Sequence, residues 1–331
     1  MLEQGLQAKV DSYKRLYGEL KKQLKWKVSD PRALMLVASM YIINGKPFEM
    51  ERFIALSDAI KKKAGMFSTL NSYQRFTAAA MLDVRFEKPE EKIEDLLSLY
   101  RHLTDGGFSR GAFTYLSALV MLSSEPDGEG YHQKIERSLT IYKGMRSRHF
   151  FLTSSSDYPL AVLLTERSEP VEEIMEHIEF FYGNLNDQGF RKGNDLQFLS
   201  HILSIDQQAD TRVLIERSKQ VFDALHDAGI RPKPAYYPAI GLLSLLEDRT
   251  NTILTVREIA DQLLDDKLFR WHKDMNFMMG VNILLSEKLE DKGVLETGIY
   301  TTIEAVIQAQ QAALIAAVAG ASAASSSNSG S

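Results

Sequence analysis

The stretch that decides the fold is residues 67–107, FSTLNSYQRFTAAAMLDVRFEKPEEKIEDLLSLYRHLTDGG. Its first half holds an apolar run from Phe76 to Leu82, and its second half has apolar residues at helical spacing from Ile93 to Leu103. Equivalent starting points recur at steps of 41, 42, 40, 40 and 39 residues, at Phe108, Phe150, Phe190, Ile230 and Phe269. A period of about forty residues is typical of proteins that stack one supersecondary unit. We interpret the recurring Phe as a packing anchor where each unit joins the previous one.

Each unit combines two helices of different polarity. The first, the A helix, is apolar nearly all round, and the second, the B helix, has one apolar face. Pro89 and Pro170 stand where B helices begin, and Gly106 and Gly189 stand where they end, as proline and glycine commonly do. No segment shows the sustained alternation of a strand. The sequence therefore predicts an all-α fold of tandem helical hairpins.

The A helices also bear on how the hairpins are arranged. The inner helices of an open solenoid line a wet surface and have a polar face, whereas helices that are apolar all round are buried on several sides. We therefore favour an α/α-toroid-like ring, with A helices inside and B helices outside. A tightly curved α-solenoid also buries a middle layer of helices, and it remains the alternative.

The repeat covers most of the chain, and no clear linker interrupts it. We expect one helical-repeat domain over residues 1–319. Within it, an N-terminal capping helix occupies residues 1–28, a divergent hairpin residues 31–65, and the repeat array residues 67–319. Residues 320–331 are rich in Ala and Ser and are expected to form a disordered tail.

Composition narrows the classes of function. Of the 331 residues 25% are charged and the formal net charge is −5, whereas a general nucleic-acid binder usually carries a strong basic excess. The chain has no cysteine, which excludes disulfides, thiolate nucleophiles and cysteine-ligated zinc. Residues 1–11 lack the features of a signal peptide, and no segment has the roughly 20 apolar residues of a membrane span. We expect a cytoplasmic protein with neither a nucleic-acid nor a membrane partner.

The units contain the motifs Phe67-Ser-Thr-Leu-Asn-Ser-Tyr-Gln-Arg-Phe-Thr-Ala-Ala, Gly107-Phe-Ser-Arg-Gly-Ala-Phe and Gly189-Phe-Arg-Lys-Gly-Asn-Asp. With these motifs the chain resembles a bacterial family known as domain of unknown function 4003. The resemblance covers nearly the whole chain. It implies no activity, because that family has none assigned.

Two of the unit starts read Asp105-Gly-Gly-Phe108 and Asp187-Gln-Gly-Phe190. They are similar to the repeats of prenyltransferase and terpene-cyclase α/α toroids, which hold a central apolar cavity. The catalytic motifs of those families are missing from the sequence: Asp265-Asp266 lacks the expected downstream Asp, and the zinc ligands would need cysteine. The similarity therefore implies an architecture and gives no support to a mechanism.

Two segments of the chain are most similar to each other in sequence. They are Phe190-Arg-Lys-Gly-Asn-Asp-Leu-Gln-Phe198 and Phe269-Arg-Trp-His-Lys-Asp-Met-Asn-Phe277. Asp195 and Asp274 occupy the same place in the two motifs. They are candidates to face a shared pocket mouth with the arginine of each motif. We prefer the interpretation that both are N-caps of their A helices, because Asp accepts hydrogen bonds from the free amides there.

The loops that lead into the A helices, hereafter the A-loops, are basic. Their candidate ligand-binding cations are Arg110, Arg191, Lys192, Arg231, Lys233 and Arg270. If the hairpins stack in order, these side chains gather on one rim, where helix N-termini also favour anions. The hypothesis is a site for a protein or an anionic small ligand, such as a phosphate or an acidic peptide, and the alternative is ordinary solvated charge. Trp271 and His272 lie on one A-loop and are candidates to frame a pocket.

No motif points to a cofactor or a metal. The sequence has no phosphate-binding glycine loop, no dinucleotide fingerprint and no Gly-x-Ser-x-Gly elbow. Glu173 and His177 share a helix face, but no second histidine completes a metal motif. His201 lies within an apolar A helix and is interpreted as a core histidine. We therefore expect neither a metal site nor a cofactor.

These patterns assign no ligand and no reaction. Our first hypothesis is a non-catalytic binding or scaffold protein that uses the rim or the inner face, as repeat arrays commonly do. It predicts a filled or shallow centre. The alternative is an enzyme or small-molecule binder with a central cavity, which predicts a deep pocket with polar side chains converging from several A helices. A weaker third option is membrane association through the Ala-rich segment 312–319.

Overall fold

The structure is a computed structural model that describes residues 2–65, 68–124, 130–207, 209–246 and 251–291. Within these residues the chain forms fourteen α-helices and no β-strand, which confirms the predicted all-α class. The helices are α1 Gln4–Leu24, α2 Pro31–Ile43, α3 Met50–Lys63, α4 Gln74–Arg85, α5 Lys92–Asp105, α6 Ala112–Ser124, α7 Tyr131–Arg148, α8 Tyr158–Leu163, α9 Val171–Asp187, α10 Asn194–Ile205, α11 Thr211–Asp227, α12 Tyr237–Ser244, α13 Thr252–Leu264 and α14 Lys273–Asp291. Phe67, the segment expected to form the B helix of the last unit and the tail 320–331 lie outside the described residues.

From α2 onward, A helices have even numbers and B helices have odd numbers. Each A helix carries an unbroken run of buried residues: 33–41, 75–83, 114–122, 157–164, 199–206, 239–246 and 275–286. Eight residues make about two turns, so these helices are buried on every side, as the sequence predicts. The B helices bury one face; in α11 that face holds Leu214, Ser218, Val221 and Leu225. Among the described residues, no helix is long and apolar enough to cross a membrane.

Local signals begin and end the helices. Asp30 caps α2, because its carboxylate accepts a hydrogen bond from Arg32 N at 2.9 Å. Asp210 caps α11 in the same way, with Arg212 N at 2.8 Å. Gly189 follows the B helix α9 with a φ of +97°, a left-handed conformation that side chains disfavour and that turns the chain into the next A-loop.

Neighbouring helices of the same type pack against each other. The contacts of the A helices run from α2 through α4, α6, α8, α10 and α12 to α14, and those of the B helices run from α3 to α13. Helix α14 also contacts α1 and α2, which brings the first and the last described helices together. Gln7 of α1 exchanges side-chain hydrogen bonds of 3.1 and 2.9 Å with Gln262 of α13, and Lys9 of α1 pairs with Glu287 of α14 at 2.9 Å.

The recurring aromatic position is a packing anchor in three of the described units. Phe108, Phe190 and Phe269 are buried. The Phe269 ring contacts the first helix of the chain: it packs against Tyr13 and Tyr17 of α1 at centroid distances of 5.4 and 4.7 Å. In these units the prediction of an anchor is confirmed.

Phe150 contradicts that prediction, because it is 58% exposed. In its A-loop Thr153 takes the buried position, and the Thr153 hydroxyl accepts a hydrogen bond from Gln197 Nε2 at 2.9 Å. Ile230, at the corresponding place two units later, is only half-buried. Along the described units, the first residue of the unit therefore alternates between a buried aromatic side chain and one that is exposed or half-buried.

The loop contacts repeat every second unit. The Tyr158 hydroxyl accepts a hydrogen bond from Ser109 N at 3.2 Å, and the Tyr237 hydroxyl accepts one from Arg191 N at 2.8 Å. Ser109 and Arg191 are 82 residues apart, which is two units. A second pair of bonds has the same spacing: Gly111 N to the Tyr100 hydroxyl and Gly193 N to the Tyr182 hydroxyl, each at 3.2 Å. The forty-residue period thus describes the helices, and an eighty-residue period describes how these loops are joined.

Candidate binding rim

The A-loops lie side by side at one end of the helices, because each hairpin returns the chain to the end where it began. Hydrogen bonds tie successive A-loops to the start of the next A helix: Ser68–Tyr115 at 3.0 Å, Ser109–Tyr158 at 3.2 Å, Thr153–Gln197 at 2.9 Å, Arg191–Tyr237 at 2.8 Å and Lys233–Asp274 at 2.6 Å. We call this surface the A-loop rim and define it by residues 25–32, 68–73, 108–111, 149–157, 190–195, 230–236 and 269–274.

Asp274 is held by the A-loop of the preceding unit. Lys233 Nζ donates to Asp274 Oδ1 at 2.6 Å, and the Tyr236 hydroxyl donates to the same oxygen at 2.9 Å. Burial alone would raise the pKa of the Asp274 carboxyl, but these two hydrogen bonds, together with the charges of Lys233 and Lys273, outweigh burial and lower the pKa. Burial and the bond to Asp274 raise the pKa of Tyr236, so the phenol stays a proton donor. At neutral pH the ionised carboxylate therefore fixes both neighbours.

Asp195 has a different environment despite its matching motif. Helix α10 begins at Asn194, with Gly193 as its N-cap and no side-chain capping bond, so the N-cap interpretation of Asp195 is wrong. Burial raises the pKa of the Asp195 carboxyl. Asp274 likewise lies inside its helix, which begins at Lys273, and bonds to side chains of another loop. The two motifs differ in environment because the residues that face them come from other units.

The predicted cations share the rim but do not form one site. Arg231 and Asp274 line one cleft, with a volume of about 500 Å³. Arg110 lines another, with a volume of about 700 Å³. Arg191 and Lys192 are exposed and line neither of these clefts. The rim is therefore basic along much of its length, with two concave places.

The two clefts occupy equivalent places in different units. Each lies between the end of one B helix, the following A-loop, the next B helix and the start of the next A helix. Gly65 and Gly229 mark the two B-helix ends, and they are 164 residues apart, which is four units. A pair of aromatic rings lines each cleft: Tyr236 and Phe277 at 4.2 Å, and Tyr100 and Tyr115 at 3.7 Å.

Large aromatic side chains are exposed on the rim. Trp26 is 89% exposed and Trp271 is 79% exposed, and they are the two tryptophans of the chain. Phe150 and Phe151 are exposed on another A-loop. Three of these rings have a cation above them: Lys25 over Trp26 at 5.3 Å, Arg146 over Phe150 at 4.8 Å and Arg270 over Trp271 at 5.0 Å. Sequence reasoning selected only Trp271; the segment Lys25-Trp26-Lys27 carries the same signal, a tryptophan beside a cation just before a helix.

His272, just before α14, lies near charged residues of α1 and of the start of α2. Burial lowers the pKa of its imidazole, Lys21 and Arg32 lower it further, and Asp30 opposes them. Lys21 belongs to α1, and Asp30 and Arg32 belong to the start of α2. His272 is half-buried beside the exposed Trp271, and neither residue lines the two clefts.

Other histidines have structural environments. His201 is buried in α10, and burial, helped by His149, lowers its pKa to about 3. The interpretation as a core histidine is confirmed, although its Nδ1 has no hydrogen-bond partner among the residues that the structure describes. His177 Nδ1 lies 2.6 Å from Arg167 Nη1, and its Nε2 lies 2.8 Å from Thr211 Oγ1. In the part of the chain that the structure describes, no three His, Cys, Asp or Glu side chains are placed to hold a metal ion.

One A-loop carries an acid with a strongly shifted pKa, Asp157. Its carboxylate accepts a hydrogen bond from Ser154 N at 2.9 Å, but burial dominates and raises the pKa from 3.8 to about 6. The carboxyl therefore ionises more readily in the unfolded chain than in the folded one. This difference in pKa does not affect the free energy of unfolding below about pH 3.8. As the pH rises from 3.8 to about 6 it lowers the free energy of unfolding, and above about pH 6 the lowering is complete.

We expect Asp157→Asn to raise the free energy of unfolding at pH 7.5 by about 1 to 3 kcal/mol, since one pKa unit is worth about 1.4 kcal/mol. The amide oxygen still accepts the bond from Ser154 N, and the ionisation cost is removed. At pH 4 the variant and the wild type should be nearly equally stable. Urea unfolding at both pH values measures this, and a variant less stable than wild type at pH 7.5 would contradict it.

The fold and the rim together define an all-α protein of helical hairpins with a basic, aromatic surface at one end. The chain belongs to the family "Protein of unknown function (DUF4003)", which matches residues 16–312. It is 39% identical over 331 residues to "Uncharacterized protein YeaA" of Bacillus subtilis (strain 168), and the alignment covers 100% of both chains. No solved structure is significantly similar. The predicted family is confirmed, and no function is assigned to it.

Proposed function

We propose that the chain is a non-catalytic binding protein that holds a partner protein on its A-loop rim. The observation that carries the proposal is that both tryptophans, Trp26 and Trp271, are exposed on this rim. Tryptophan side chains are highly buried on average, and exposed aromatic and arginine side chains are enriched where proteins meet. A partner that covers these rings removes apolar surface that folding leaves in water.

We infer that the hairpins close into an α/α-toroid-like ring, with A helices inside and B helices outside. The contacts of α14 with α1 and α2, the bonds between Gln7 and Gln262, and the packing of Phe269 on α1 support closure. In a tightly curved solenoid the two ends of the array would not meet. Helix α1 then completes the outer layer beside α13, and residues 1–319 count as one domain.

Closure brings the two tryptophans into one patch. Trp26 precedes α2 and Trp271 precedes α14, and these two helices pack against each other. The charges of Asp30 and Arg32 shift the pKa of His272, which indicates that the two A-loops are close. A patch with two large rings, each beside a cation, has the composition of an interface hot spot.

The centre of the ring favours a binding protein over an enzyme with a central cavity. The described A helices are buried on every side, and the carboxylates in their buried runs are engaged: Asp83 by Tyr41 and Arg52, Asp157 by Ser154 N, and Asp206 by Ala209 N. A deep pocket would need polar side chains that converge on open space. The burial supports a filled centre, which leaves the outer rim as the surface for recognition.

The chemistry of the rim suits a partner with an acidic surface. Arg191, Lys192, Arg231 and Arg270 are exposed on its loops, in a chain whose net charge is −5. Complementary charge speeds encounter and selects partners more than it adds affinity. The chain has no cysteine, which suits the reducing cytoplasm that we propose as its location.

The tryptophans themselves provide the test. Because both lie on the rim, the tryptophan fluorescence of the chain reports on the rim alone. Some proteins should co-purify with the wild-type chain. With the double variant Trp26→Ala and Trp271→Ala we expect their amount to fall at least about tenfold, which corresponds to a loss of binding free energy of about 1.4 kcal/mol or more. A purified partner should shift the tryptophan emission of the wild type to shorter wavelength as it buries the rings.

A matched control uses exposed apolar residues away from the rim. Phe180 on α9 and Leu254 on α13 are exposed on B helices. The double variant Phe180→Ala and Leu254→Ala should retain the partner. Retention of the partner by the tryptophan variant, or an equal loss of the partner from this control, would contradict the proposal.

A further inference from the structure

The cleft beside Arg231 has the form of a ligand site. It lies between the A-loop 229–236, helix α13 and the first turn of α14, and its volume is about 500 Å³. Pockets for small ligands commonly fall in this size range. The aromatic rings of Tyr236 and Phe277 form one wall, at a centroid distance of 4.2 Å.

The charge of the cleft is positive. Its lining holds four cationic side chains, Arg231, Lys233, Arg257 and Lys273, and two acidic ones, Asp261 and Asp274, which gives a net charge of +2. The whole chain has a net charge of −5. The cleft therefore concentrates charge of the sign opposite to that of the protein, which attracts anions.

Two of the cations make no hydrogen bond or ion pair with the part of the chain that the structure describes, and two are fixed. The first two are Arg231 and Lys273, of which Lys273 also lowers the pKa of Asp274 by its charge. Lys233 is held by Asp274 at 2.6 Å, and Arg257 Nη1 donates to the Ala228 carbonyl at 2.7 Å. The fixed pair shapes the cleft, and the free guanidinium and ammonium groups remain available to a ligand.

The equivalent cleft four units earlier is a useful contrast. It is lined by Lys63, Arg101 and Arg110 against Glu94 and Asp105, which gives a net charge of +1. Lys63 already pairs with Glu94 at 3.1 Å. The same architecture therefore carries a net charge of +2 at one place and +1 at the other.

We propose that the cleft between the A-loop 229–236, α13 and α14 binds a small anion, a compound with phosphate or carboxylate groups. Arg231 contributes the planar guanidinium that suits such groups, and Lys273 contributes a compact ammonium charge. The ring pair of Tyr236 and Phe277 lies against the body of the ligand. Neither tryptophan lines this cleft, and binding of a small anion here needs no protein partner.

Inorganic pyrophosphate is the probe. In calorimetric titrations at low ionic strength, the wild-type chain should bind it, and the double variant Arg231→Gln and Lys273→Gln should bind at least about tenfold more weakly. Added salt should weaken wild-type binding. Both side chains are exposed without ion pairs, so the thermal midpoint of the variant should match that of the wild type.

The control is the double variant Arg191→Gln and Lys192→Gln, which removes two exposed cations from another A-loop of the same rim. It should bind pyrophosphate within about twofold of the wild type. Equal weakening by both double variants would mean attraction by the rim as a whole and would overturn the proposal. So would a wild-type chain that shows no binding at millimolar pyrophosphate.

Discussion

Asp83→Ala should lower the free energy of unfolding by about 2 to 3 kcal/mol, because it removes a hydrogen bond to a charged group and leaves the buried Tyr41 hydroxyl without its acceptor. Asp83 of α4 is 2% exposed. Its carboxylate accepts a hydrogen bond from the Tyr41 hydroxyl of α2 at 2.7 Å, and Arg52 Nη2 of α3 lies 2.9 Å away. Lys46 Nζ lies 3.9 Å away and also donates to the Asp83 carbonyl at 2.6 Å. The single carboxylate therefore joins the first hairpin to the second.

Urea unfolding followed by circular dichroism measures the effect, with Asp223→Ala as the control. Asp223 pairs with Lys219 on the exposed face of α11, where ion pairs contribute about 0.5 kcal/mol or less. A loss at Asp83 no larger than that at Asp223 would contradict the role of the buried carboxylate.

Phe190→Ala should destabilise the fold by about 3 to 5 kcal/mol, as large-to-small changes in a packed core do. The Phe190 ring is 1% exposed and lies 4.7 Å from the Phe222 ring and 5.0 Å from the Tyr237 ring. Truncation leaves a cavity between two units and strips the tyrosine of a packing partner.

The same change at Phe150 is the matched control. Phe150 occupies the corresponding place one unit earlier but is exposed, so Phe150→Ala should cost less than about 1 kcal/mol. Denaturant midpoints of the two variants give the comparison directly. Equal losses would mean that the position is an anchor in every unit and that the alternation between units has no energetic meaning.

The sequence predicted the type of each helix but not which of the recurring aromatic residues are buried. Helix type followed from the patterns of single segments, because an apolar run predicts burial on all sides wherever its neighbours lie. The recurring aromatic position has the same residue at Phe150 and Phe190, and only the surrounding loop decides which ring is buried. A signal was present in the sequence: Tyr158-Pro159 and Tyr237-Pro238 mark the two A helices whose tyrosines bond to the loops after Phe108 and Phe190.

The rim was predictable as a region and not as a set of contacts. Basic A-loops were visible in the sequence, because charges near helix starts are local features. The partners of Asp274 were not, since Lys233 and Tyr236 come from the preceding unit, 41 and 38 residues away. The matching motif around Asp195 suggested a shared role, but the facing loops differ, so one carboxylate is bonded to two side chains and the other has its pKa raised by burial.

The proposed closure of the hairpins into a ring would bring the two tryptophans into one patch, and cross-linking tests this closure most directly. Gln7 and Gln262 are 255 residues apart and bond to each other. The chain has no cysteine, so the double variant Gln7→Cys and Gln262→Cys provides two unique thiols. A short bismaleimide should link them within one molecule in high yield, whereas a control pair at Gln7 and Gln133, on α1 and α7, should stay unlinked. Absence of an intramolecular link between positions 7 and 262, or equal linking of the control pair, would contradict closure.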